Sequence, residues 1–195
     1  MAVEARPRLK LTYEDYRCFP DDGNRHELID GEHEVTPAPA PRHQWIADTI
    51  GYALRNAPEG SKLGLVLSSP PDVVLTETDV VQPDVLFLSR ARMNRLTETC
   101  LRGAPDLVVE VLSESTRRRD EIVKRHLYER HGVQEYWVVD PVLETIKIYR
   151  RPDENDGTFA GKLELSTEAG DTLSTPLLPA LNLPLANLFA WPPVS

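Results

Sequence analysis

The amino-acid sequence predicts an α/β fold whose core runs in the order helix, three strands, helix, strand. Apolar residues recur at helical spacing between His43 and Leu54, and near-continuous apolar runs typical of buried strands follow. A second helical segment ends at Gly132, a residue type common just past a helix C-terminus. Because 195 residues fit one domain, we expect 1–195 to form a single domain with its core at about 42–141.

The first 40 residues are expected to form an accessory layer on this core. Thr12 can cap a short helix over 13–18, since its hydroxyl can accept a hydrogen bond from the first turn. A strand at 26–29 is expected to enter a tight turn at 30–32. Regular structure before the helix at 43–54 is expected to be excluded by three prolines, Pro37, Pro39 and Pro41.

Three strands are predicted after this helix, at 63–67, around 80–88 and at 107–112. In the third strand, alternate side chains point to opposite faces, and both faces are apolar apart from Glu110. Apolar residues on both faces are typical of a strand that is covered on both sides. We therefore expect this strand to lie at the centre of the sheet.

The remainder of the core is predicted as a helix over about 116–131 and a strand at 135–139. Beyond it, segments at 145–149 and 162–166 are expected to pair as a C-terminal hairpin around a loop at 153–157. The stretch rich in Pro, Leu and Ala that follows is expected to pack as an irregular tail.

The composition excludes several classes of protein. The hydrophobic fraction of 41% and the charged fraction of 27% are close to globular averages, which argues against global disorder. No apolar run approaches the length of a membrane span, and the N-terminus lacks the apolar core of a signal peptide. We therefore expect a cytoplasmic protein with no membrane partner. Cys18 and Cys100 stand far apart, which argues against a zinc module or a disulfide framework.

The formal net charge of −9 argues weakly against a nucleic-acid partner, since proteins that bind nucleic acids usually carry a basic surface. Local charge could reverse this, because basic residues crowd two segments. The first holds Arg117, Arg118, Arg119, Lys124, Arg125 and Arg130, and the second holds Arg90, Arg92, Arg95 and Arg102. The alternative is that these segments are two solvated helix faces.

Two acidic residues interrupt the predicted buried strands. Glu110 lies in the middle of an apolar run, and Asp84 opens another. An ionised carboxylate on a buried strand is costly unless it is paired or bound to a cation. Acids on two adjacent strands would converge on one point, where their oxygens suit Mg²⁺. The alternative for Glu110 is a structural salt bridge.

A lysine on the second helix is the third candidate. At helical spacing, Val123, Leu127 and Tyr128 define the buried face of this helix, and Asp120 and Lys124 fall on the same stripe. If the lysine reaches the two acids, it can stabilise charge on a phosphate or orient an attacking water. The alternative is that it snorkels to the helix end, with the acid four residues earlier as its partner.

Six short motifs along the chain together carry a family resemblance. They are Glu27-Leu28-Ile29-Asp30-Gly31-Glu32, the segment from Pro41 to His43, Gln82-Pro83-Asp84, the run from Pro105 to Ser113, Lys124, and the run from Gly132 to Pro141. Over about 11–188, their order resembles the Uma-two family of restriction-endonuclease-like proteins, within the PD-(D/E)XK nuclease superfamily. The resemblance implies a restriction-endonuclease-like α/β core.

The same resemblance implies roles for individual residues. Asp84 matches the metal-binding aspartate of the superfamily, Glu110 matches the acid of its E-x-K element, and Glu27 corresponds to an additional acidic position near the site. The E-x-K lysine would fall at Leu112, which carries no charge, so the family is implied to supply Lys124 from the next helix instead. The implied catalytic residues are thus Asp84, Glu110, Lys124 and Glu27, with Asp84 and Glu110 as the metal ligands.

The leading hypothesis is an Mg²⁺-dependent endonuclease, with Mn²⁺ able to substitute, that hydrolyses DNA phosphodiester bonds. We expect a homodimer, because two-fold pairing matches the symmetry of a duplex cut on both strands. Two alternatives stay open. One is a catalytically silent nucleic-acid-binding or dimerisation module with the same fold, which the negative net charge favours. The other is a metal-dependent hydrolase of small phosphate esters.

Four other residues carry weaker expectations. His43 either touches the site or a phosphate, or lies on the surface. Asp106 shares a strand face with Glu110, but hydrogen bonding at the loop end is its expected role. Tyr136 and Trp137 are expected to pack in the core or a dimer interface rather than to stack on bases.

Overall fold

The computed structural model describes residues 9–58, 60–68, 71–153 and 157–191, which contain three sheets. The helices are α1 (Tyr13–Tyr16), α2 (Pro41–Asn56), α3 (Gly60–Leu63), α4 (Arg125–Arg130) and α5 (Leu185–Leu188). The strands are β1 (Arg25–Ile29), β2 (Glu32–Thr36), β3 (Gly64–Ser68), β4 (Val73–Thr76), β5 (Asp79–Val81), β6 (Val85–Ser89), β7 (Leu101–Arg102), β8 (Leu107–Val111), β9 (Glu135–Asp140), β10 (Thr145–Arg150), β11 (Leu163–Ser166), β12 (Thr172–Thr175) and β13 (Leu178–Pro184). There is also a 3-10 segment, Arg90–Arg95, and a π-helical segment, Arg119–Lys124, that runs directly into α4.

The central layer is a six-stranded sheet in the order β11-β10-β9-β8-β6-β3. β8 pairs in parallel with β9 and antiparallel with β6, and all five of its residues are buried. The other neighbouring strands of this sheet are antiparallel. The strand predicted at 107–112 is therefore central, as its two apolar faces indicated.

Each face of this sheet has its own apolar core. On one side, Trp137 of β9 shares a cluster with Ile50 of α2 and Leu185 of α5. On the other side, a second cluster includes Leu127 of α4 and Val73 of β4. The sheet is thus covered by helices on one face and by α4 and the accessory layer on the other.

The accessory layer is a five-stranded sheet in the order β2-β1-β5-β4-β7. The first 40 residues supply β1 and β2, an antiparallel hairpin whose turn residues Asp30 and Gly31 both have positive φ. The sequence did not predict β4 and β7, since strands of four and two residues are too short to show a clear period.

The single strand predicted around 80–88 is wrong, because the segment forms two strands in different sheets. β5 pairs with β1 and β4 in the accessory sheet, whereas β6 pairs with β3 and β8 in the central sheet. Pro83 lies between them and has no backbone N–H to continue a ladder. Because the chain passes from one sheet to the other at Pro83, the next residue, Asp84, lies at the junction of the two sheets.

The first two helices differ slightly from their predicted bounds. α2 begins at Pro41 rather than at His43, because a proline is tolerated at the first helical position, where its missing N–H has no helical partner. α1 ends at Tyr16 rather than at Cys18, and its start is fixed by a capping box between Thr12 and Asp15. None of the helices in the described ranges has the length and apolar character needed to cross a membrane.

The helix predicted over 116–131 is helical from 117 to 130 and contains the π-helical segment at 119–124. A π-helix has more residues per turn than an α-helix, so a stripe drawn at α-helical spacing holds only in part here, with Asp120 and Lys124 buried as predicted. Val123, expected on the buried face, is 43% exposed. In α4 the spacing holds, and Leu127 and Tyr128 are buried as predicted.

The C-terminal region contains more regular structure than predicted. The expected hairpin is present as the antiparallel pair β10 and β11, and part of the loop predicted at 153–157 lies outside the described residues. The prediction of an irregular tail is wrong, because β12 and β13 form a second antiparallel hairpin that leads into α5. Its signal was a period of two, with Leu173 and Thr175 buried and their neighbours exposed.

Candidate active site

A cavity of about 780 Å³ lies at the junction of the two larger sheets, beside the end of β8. Its lining includes four carboxylates and four basic side chains, namely Glu27, Asp84, Glu110, Asp120, Arg25, His43, Arg119 and Lys124. Three surface segments at 37–40, 113–115 and 141–142 contribute to its walls. The four site residues that the sequence predicted all line this one cavity.

Asp84 is held at the junction by contacts from three elements. Its Oδ2 accepts a hydrogen bond from the Val111 backbone N–H at 2.7 Å and lies 3.2 Å from Nε2 of His43 on α2. Its Oδ1 lies 2.7 Å from the guanidinium of Arg25 on β1. Burial alone would raise its pKa, but the contact with His43 and the charge of Arg25 outweigh that effect, so the pKa of Asp84 lies below its ordinary value. The carboxylate is therefore ionised.

Glu110 is only 2% exposed, and its pKa is shifted in the opposite direction to that of Asp84. Its Oε1 accepts hydrogen bonds from Nζ of Lys124 at 2.9 Å and from the hydroxyl of Tyr128 at 2.8 Å. Burial raises its pKa to about 8, and the neighbouring carboxylates of Asp120, Asp84 and Glu27 add to the rise against the opposing charge of Lys124. Ionisation of Glu110 is therefore disfavoured mainly by its burial.

Lys124 connects the carboxylates of two different sheets. Its Nζ lies 2.8 Å from Oε1 of Glu27 on β1 and 2.9 Å from Oε1 of Glu110 on β8. The side chain is 4% exposed, so the lysine does not snorkel to solvent. Burial opposes its charge, but the three carboxylates around it outweigh burial and raise its pKa above the ordinary value. The ammonium therefore stays charged inside the protein.

The strand position two residues after Glu110 cannot take this role. Leu112 is 2% exposed and belongs to the apolar cluster that includes Leu127 and Val138. An ammonium there would lie among aliphatic side chains without a partner. The positive charge that contacts Glu110 comes instead from Lys124, in the helical segment that follows.

The π-helical segment sets the direction of Lys124. The segment buries both Asp120 and Lys124, whose Oδ1 and Nζ are 3.7 Å apart. The hydroxyl of Tyr136 on β9 donates a hydrogen bond to the backbone carbonyl of Asp120 at 2.9 Å. This contact ties the π-helical segment to β9 of the central sheet. Within the described residues, Oδ1 of Asp120 has no hydrogen-bond donor, and burial raises the pKa of this carboxyl.

Arg25 is a residue of the site that sequence reasoning missed. It lies two positions before Glu27 on β1, and residues two apart on a strand share a face. That spacing was the signal that could have found it. Its pKa is raised, since the charges of Asp84, Glu110 and Glu27 outweigh its burial. It is the cation that directly neutralises Asp84.

The first of the two basic segments, at 117–130, forms neither a fully solvated helix face nor a continuous basic surface. Arg119 reaches inward, with NH1 3.1 Å from Glu34 and NH2 4.0 Å from Glu27. Its neighbour Arg117 pairs with Asp140 at 2.6 Å. In the second segment, Arg90, Arg92 and Arg95 donate to backbone carbonyls of the protein itself. These basic residues are largely engaged within the fold.

The four weaker expectations divide between the site and the core. His43 lies inside the cavity against Asp84 and not on the open surface. Asp106 accepts a hydrogen bond from the Ser89 backbone N–H at 2.6 Å, which is the expected contact at a loop end. Tyr136 and Trp137 are fully buried in the core, so neither can stack on a base.

The donor set at this cavity fits a hard divalent cation. In the part of the chain that the structure describes, no three acidic, histidine or cysteine side chains are grouped so as to hold a metal by themselves. Asp84 and Glu110 would supply two carboxylates, with water and a substrate phosphate as the other ligands, which is the arrangement that Mg²⁺ commonly adopts. The neighbouring carboxylates, which add to the effect of burial on the pKa of Glu110, would be stabilised by a cation at this point.

Comparison with known proteins identifies the family. The model of the Uma-two family, described as "Putative restriction endonuclease", matches residues 13–186. The chain belongs to the Uma-two family. An uncharacterized protein of Synechocystis is 27% identical to this Uma-two protein over 169 residues, which cover 86% of this chain and 85% of the relative.

One solved structure shows the same fold. A protein from Anabaena variabilis, described as a "putative nuclease belonging to DUF820", superposes with a TM-score of 0.75 at 18% identity, over 92% of this chain and 97% of that one. The type IIG restriction endonuclease BpuSI matches only 60% of this chain and 12% of its own, at 16% identity and with a TM-score of 0.35. The restriction-endonuclease-like fold that the sequence predicted is confirmed by the family and the first structure.

Proposed function

We propose that this Uma-two protein is an Mg²⁺-dependent nuclease that hydrolyses phosphodiester bonds of DNA. The observation that carries the proposal is the position of Lys124, whose ammonium lies within 2.9 Å of both Glu27 and Glu110 in the cavity that also holds Asp84. Two carboxylates and a lysine in one cavity are the chemical groups that phosphodiester hydrolysis in the presence of a divalent metal requires.

Asp84 and Glu110 would hold the metal, and Mn²⁺ would be accepted in place of Mg²⁺. When bound, the ion polarises a phosphoryl oxygen and offsets the negative charge that develops during hydrolysis. Glu110 supports this assignment because its carboxylate is buried near those of Asp84 and Glu27, so a divalent cation there would stabilise its ionised form. Asp84 supports it because its carboxylate is ionised.

The protein's own groups bind the phosphate and stabilise charge. Lys124 has three N–H donors and a fixed position, so it can donate to a nonbridging phosphoryl oxygen or orient the attacking water. In the proposed reaction, the water oxygen bonds to phosphorus and releases one proton, the bond from phosphorus to the leaving oxygen breaks, and the leaving oxygen takes up one proton, so that no net proton is gained or lost. Arg25 lies beside the same carboxylates and would bind a second phosphoryl oxygen once a metal takes over the charge of Asp84.

Glu27 acts as a positioning residue in this proposal. Its Oε1 accepts a hydrogen bond from the Gln82 backbone N–H at 2.8 Å in addition to its contact with Lys124. The carboxylate is therefore fixed by the backbone between β5 and Asp84 and, in turn, fixes the lysine.

Cleavage of labelled DNA oligonucleotides, supplied as a single strand and as a duplex, tests this function. The wild-type protein is expected to cut DNA in Mg²⁺ or Mn²⁺, to stop in EDTA, and to lose activity when Glu110 is replaced by Gln. The exposed Asp48 of α2 offers a matched control, because Asp48→Asn removes a carboxylate far from the cavity lining. Cleavage that persists in EDTA, or in Glu110→Gln, would contradict the proposal.

Hydrolysis of a small phosphate ester is the second candidate. The cavity volume lies in the range of roughly 300–1,000 Å³ that is typical of small-molecule sites, and the formal net charge of −9 does not favour a polyanion. Hydrolysis of bis(p-nitrophenyl) phosphate in Mn²⁺, without any cleavage of plasmid or oligonucleotide, would favour this candidate over a nuclease.

A further inference from the structure

The reactive groups of the proposed nuclease lie at the bottom of the cavity. Asp84 and Glu110 are each 2–3% exposed, and Lys124 is 3% exposed. A phosphate must therefore enter the cavity to reach them, since none of the three can meet a phosphate at the protein surface.

The walls above these groups include two apolar segments and one polar segment, 113–115, which has the sequence Ser-Glu-Ser. On one side, the cavity is lined by the segment 37–40, which has the sequence Pro-Ala-Pro-Ala. On another, it is lined by Pro141 and Val142, and Val142 is 77% exposed. Oδ1 of Asp140 accepts hydrogen bonds from the backbone N–H groups of Val142 and Leu143, which fixes this turn beside the opening.

The charges around the opening do not favour a duplex. Duplex DNA binds through many phosphate contacts, which need a broad set of available basic side chains. Here two arginines of the cavity lining already have acidic partners, Arg42 with Glu144 at 3.0 Å and Arg117 with Asp140 at 2.6 Å. Arg25, His43 and Lys124 also contact carboxylates, and they lie inside the cavity rather than at its opening.

From this arrangement we infer that the substrate is an unpaired strand of nucleic acid, inserted one nucleotide at a time between the apolar walls. The inference rests on the proposed function and names its substrate class. A single strand can rotate about its backbone bonds, so it can direct one phosphate to the floor while an unstacked base contacts the walls. In a duplex, the paired strand and stacked neighbours hold each phosphate on a rigid outer surface, which the walls keep away from the floor.

Binding measurements without turnover test the inference. Fluorescence anisotropy in Ca²⁺ would compare a labelled single strand of about 12 nucleotides with a duplex of the same length and sequence. We expect the single strand to bind at least about tenfold more tightly, which is about 1.4 kcal/mol. Equal affinity, or tighter binding of the duplex, would overturn the inference.

Two variants of one turn provide a matched pair. Val142→Asn is expected to weaken binding of the single strand by about fourfold or more, the scale of losing one buried methylene contact. Leu143→Asn should leave it unchanged, because Leu143 is 65% exposed in the same turn but does not line the cavity. If both variants weaken binding of the single strand equally, the cavity walls are not the surface that binds it.

Cleavage assays separate this inference from the proposed function. The same single strand, the duplex, and a duplex with an unpaired tail are incubated with wild-type protein in Mg²⁺ and in Mn²⁺. Cleavage confined to the strand and the tail supports both proposals, and cleavage inside the duplex overturns the inference alone. Preferential binding of the single strand with no cleavage in either metal overturns the function and leaves the binding inference in place.

Discussion

Arg25 NH1 lies 2.7 Å from Oδ1 of Asp84, so the predicted metal ligand is already paired with a cation of its own chain. A divalent ion that binds Asp84 must compete with this guanidinium. The pair also explains how the protein tolerates an ionised aspartate at the junction of two sheets. If Asp84 and Glu110 hold a metal as proposed, we expect its affinity to depend on three residues, Arg25, Asp84 and Glu110.

Removal of either carboxylate should abolish metal binding. Calorimetric titration with Mn²⁺ is expected to show one site in the wild-type protein and at least about tenfold weaker binding in both Asp84→Asn and Glu110→Gln, since Mg²⁺-type sites depend on one or two carboxylates. Undiminished affinity in both variants would show that the two residues do not share a metal.

Removal of the competing cation should have the opposite effect. Arg25→Gln is expected to bind Mn²⁺ several-fold more tightly, because the charge that neutralises Asp84 is lost. The same variant should bind oligonucleotide more weakly, since a phosphate contact is lost. Titrations of metal and of oligonucleotide, carried out separately, measure the two effects, and weaker binding of both would contradict the competition.

The hydroxyl of Tyr136 should matter for the reaction and not only for stability. Tyr136→Phe leaves the buried carbonyl of Asp120 without its donor and is expected to cost about 1–3 kcal/mol of unfolding free energy. Because the π-helical segment also carries Lys124, we expect kcat to fall with little change in KM. Tyr149→Phe is the control, since the ring of Tyr149 stacks on that of Tyr136 outside the cavity. An unchanged kcat in a folded Tyr136→Phe protein would show that the contact between Tyr136 and Asp120 affects stability and not the reaction.

Asp79 gives the fold a predictable dependence on pH. Burial opposes its ionisation, but the nearby imidazole of His131, hydrogen bonds from the Asp30 backbone N–H and the Thr76 hydroxyl, and the charge of Arg130 together lower the pKa of Asp79 below its ordinary value. The folded state therefore binds fewer protons here than the unfolded chain, so the stabilisation is complete above about pH 4 and is lost as the pH falls toward the folded pKa.

The contribution is expected to be roughly 2 kcal/mol at neutral pH. Urea unfolding of wild type and Asp79→Asn at pH 7, 4 and 3 measures it, with Asp48→Asn as the control. The difference between wild type and Asp79→Asn should shrink as the pH falls. A difference that stays constant down to pH 3 would show that Asp79 is not the titrating group.

The oligomeric state provides an independent check on the substrate class. A homodimer is the expectation for cleavage of both strands of a duplex, whereas a site for an unpaired strand can act alone. Light scattering with and without a bound single strand is expected to show one oligonucleotide for each chain of 22.0 kDa. Two chains on one duplex would support the original expectation of a homodimer and contradict the inferred substrate.

The sequence predicted the central sheet well because its signals are local. The apolar run around Glu110 and the helical spacing after His43 depend only on neighbouring residues, and both elements are present. The acids Asp84 and Glu110 also stood out locally, since an acid within an apolar run is costly without a partner. The structure places both on the same cavity.

Other features depend on contacts between distant segments and could not be predicted in this way. The π-helical segment turns Val123 outward and is held by Tyr136, which lies in a different element. The pairing of Arg25 with Asp84 joins two sheets, and the break at Pro83 that makes it possible separates two strands that the sequence suggested were one. Each of these features positions a charged group in the site.

The role of Lys124 is the central claim, and single-turnover cleavage tests it most directly. Saturating Mg²⁺ and a labelled oligonucleotide are used with Lys124→Ala, with Lys124→Gln as a second variant should the first fail to fold, and with Lys147→Ala as the control. Lys147 pairs with Glu121 outside the cavity. We expect a rate lowered by roughly a hundredfold or more in the Lys124 variants, with no loss of Mn²⁺ affinity, and an unchanged rate in Lys147→Ala. A folded Lys124 variant that cuts as fast as the wild-type protein would contradict this claim.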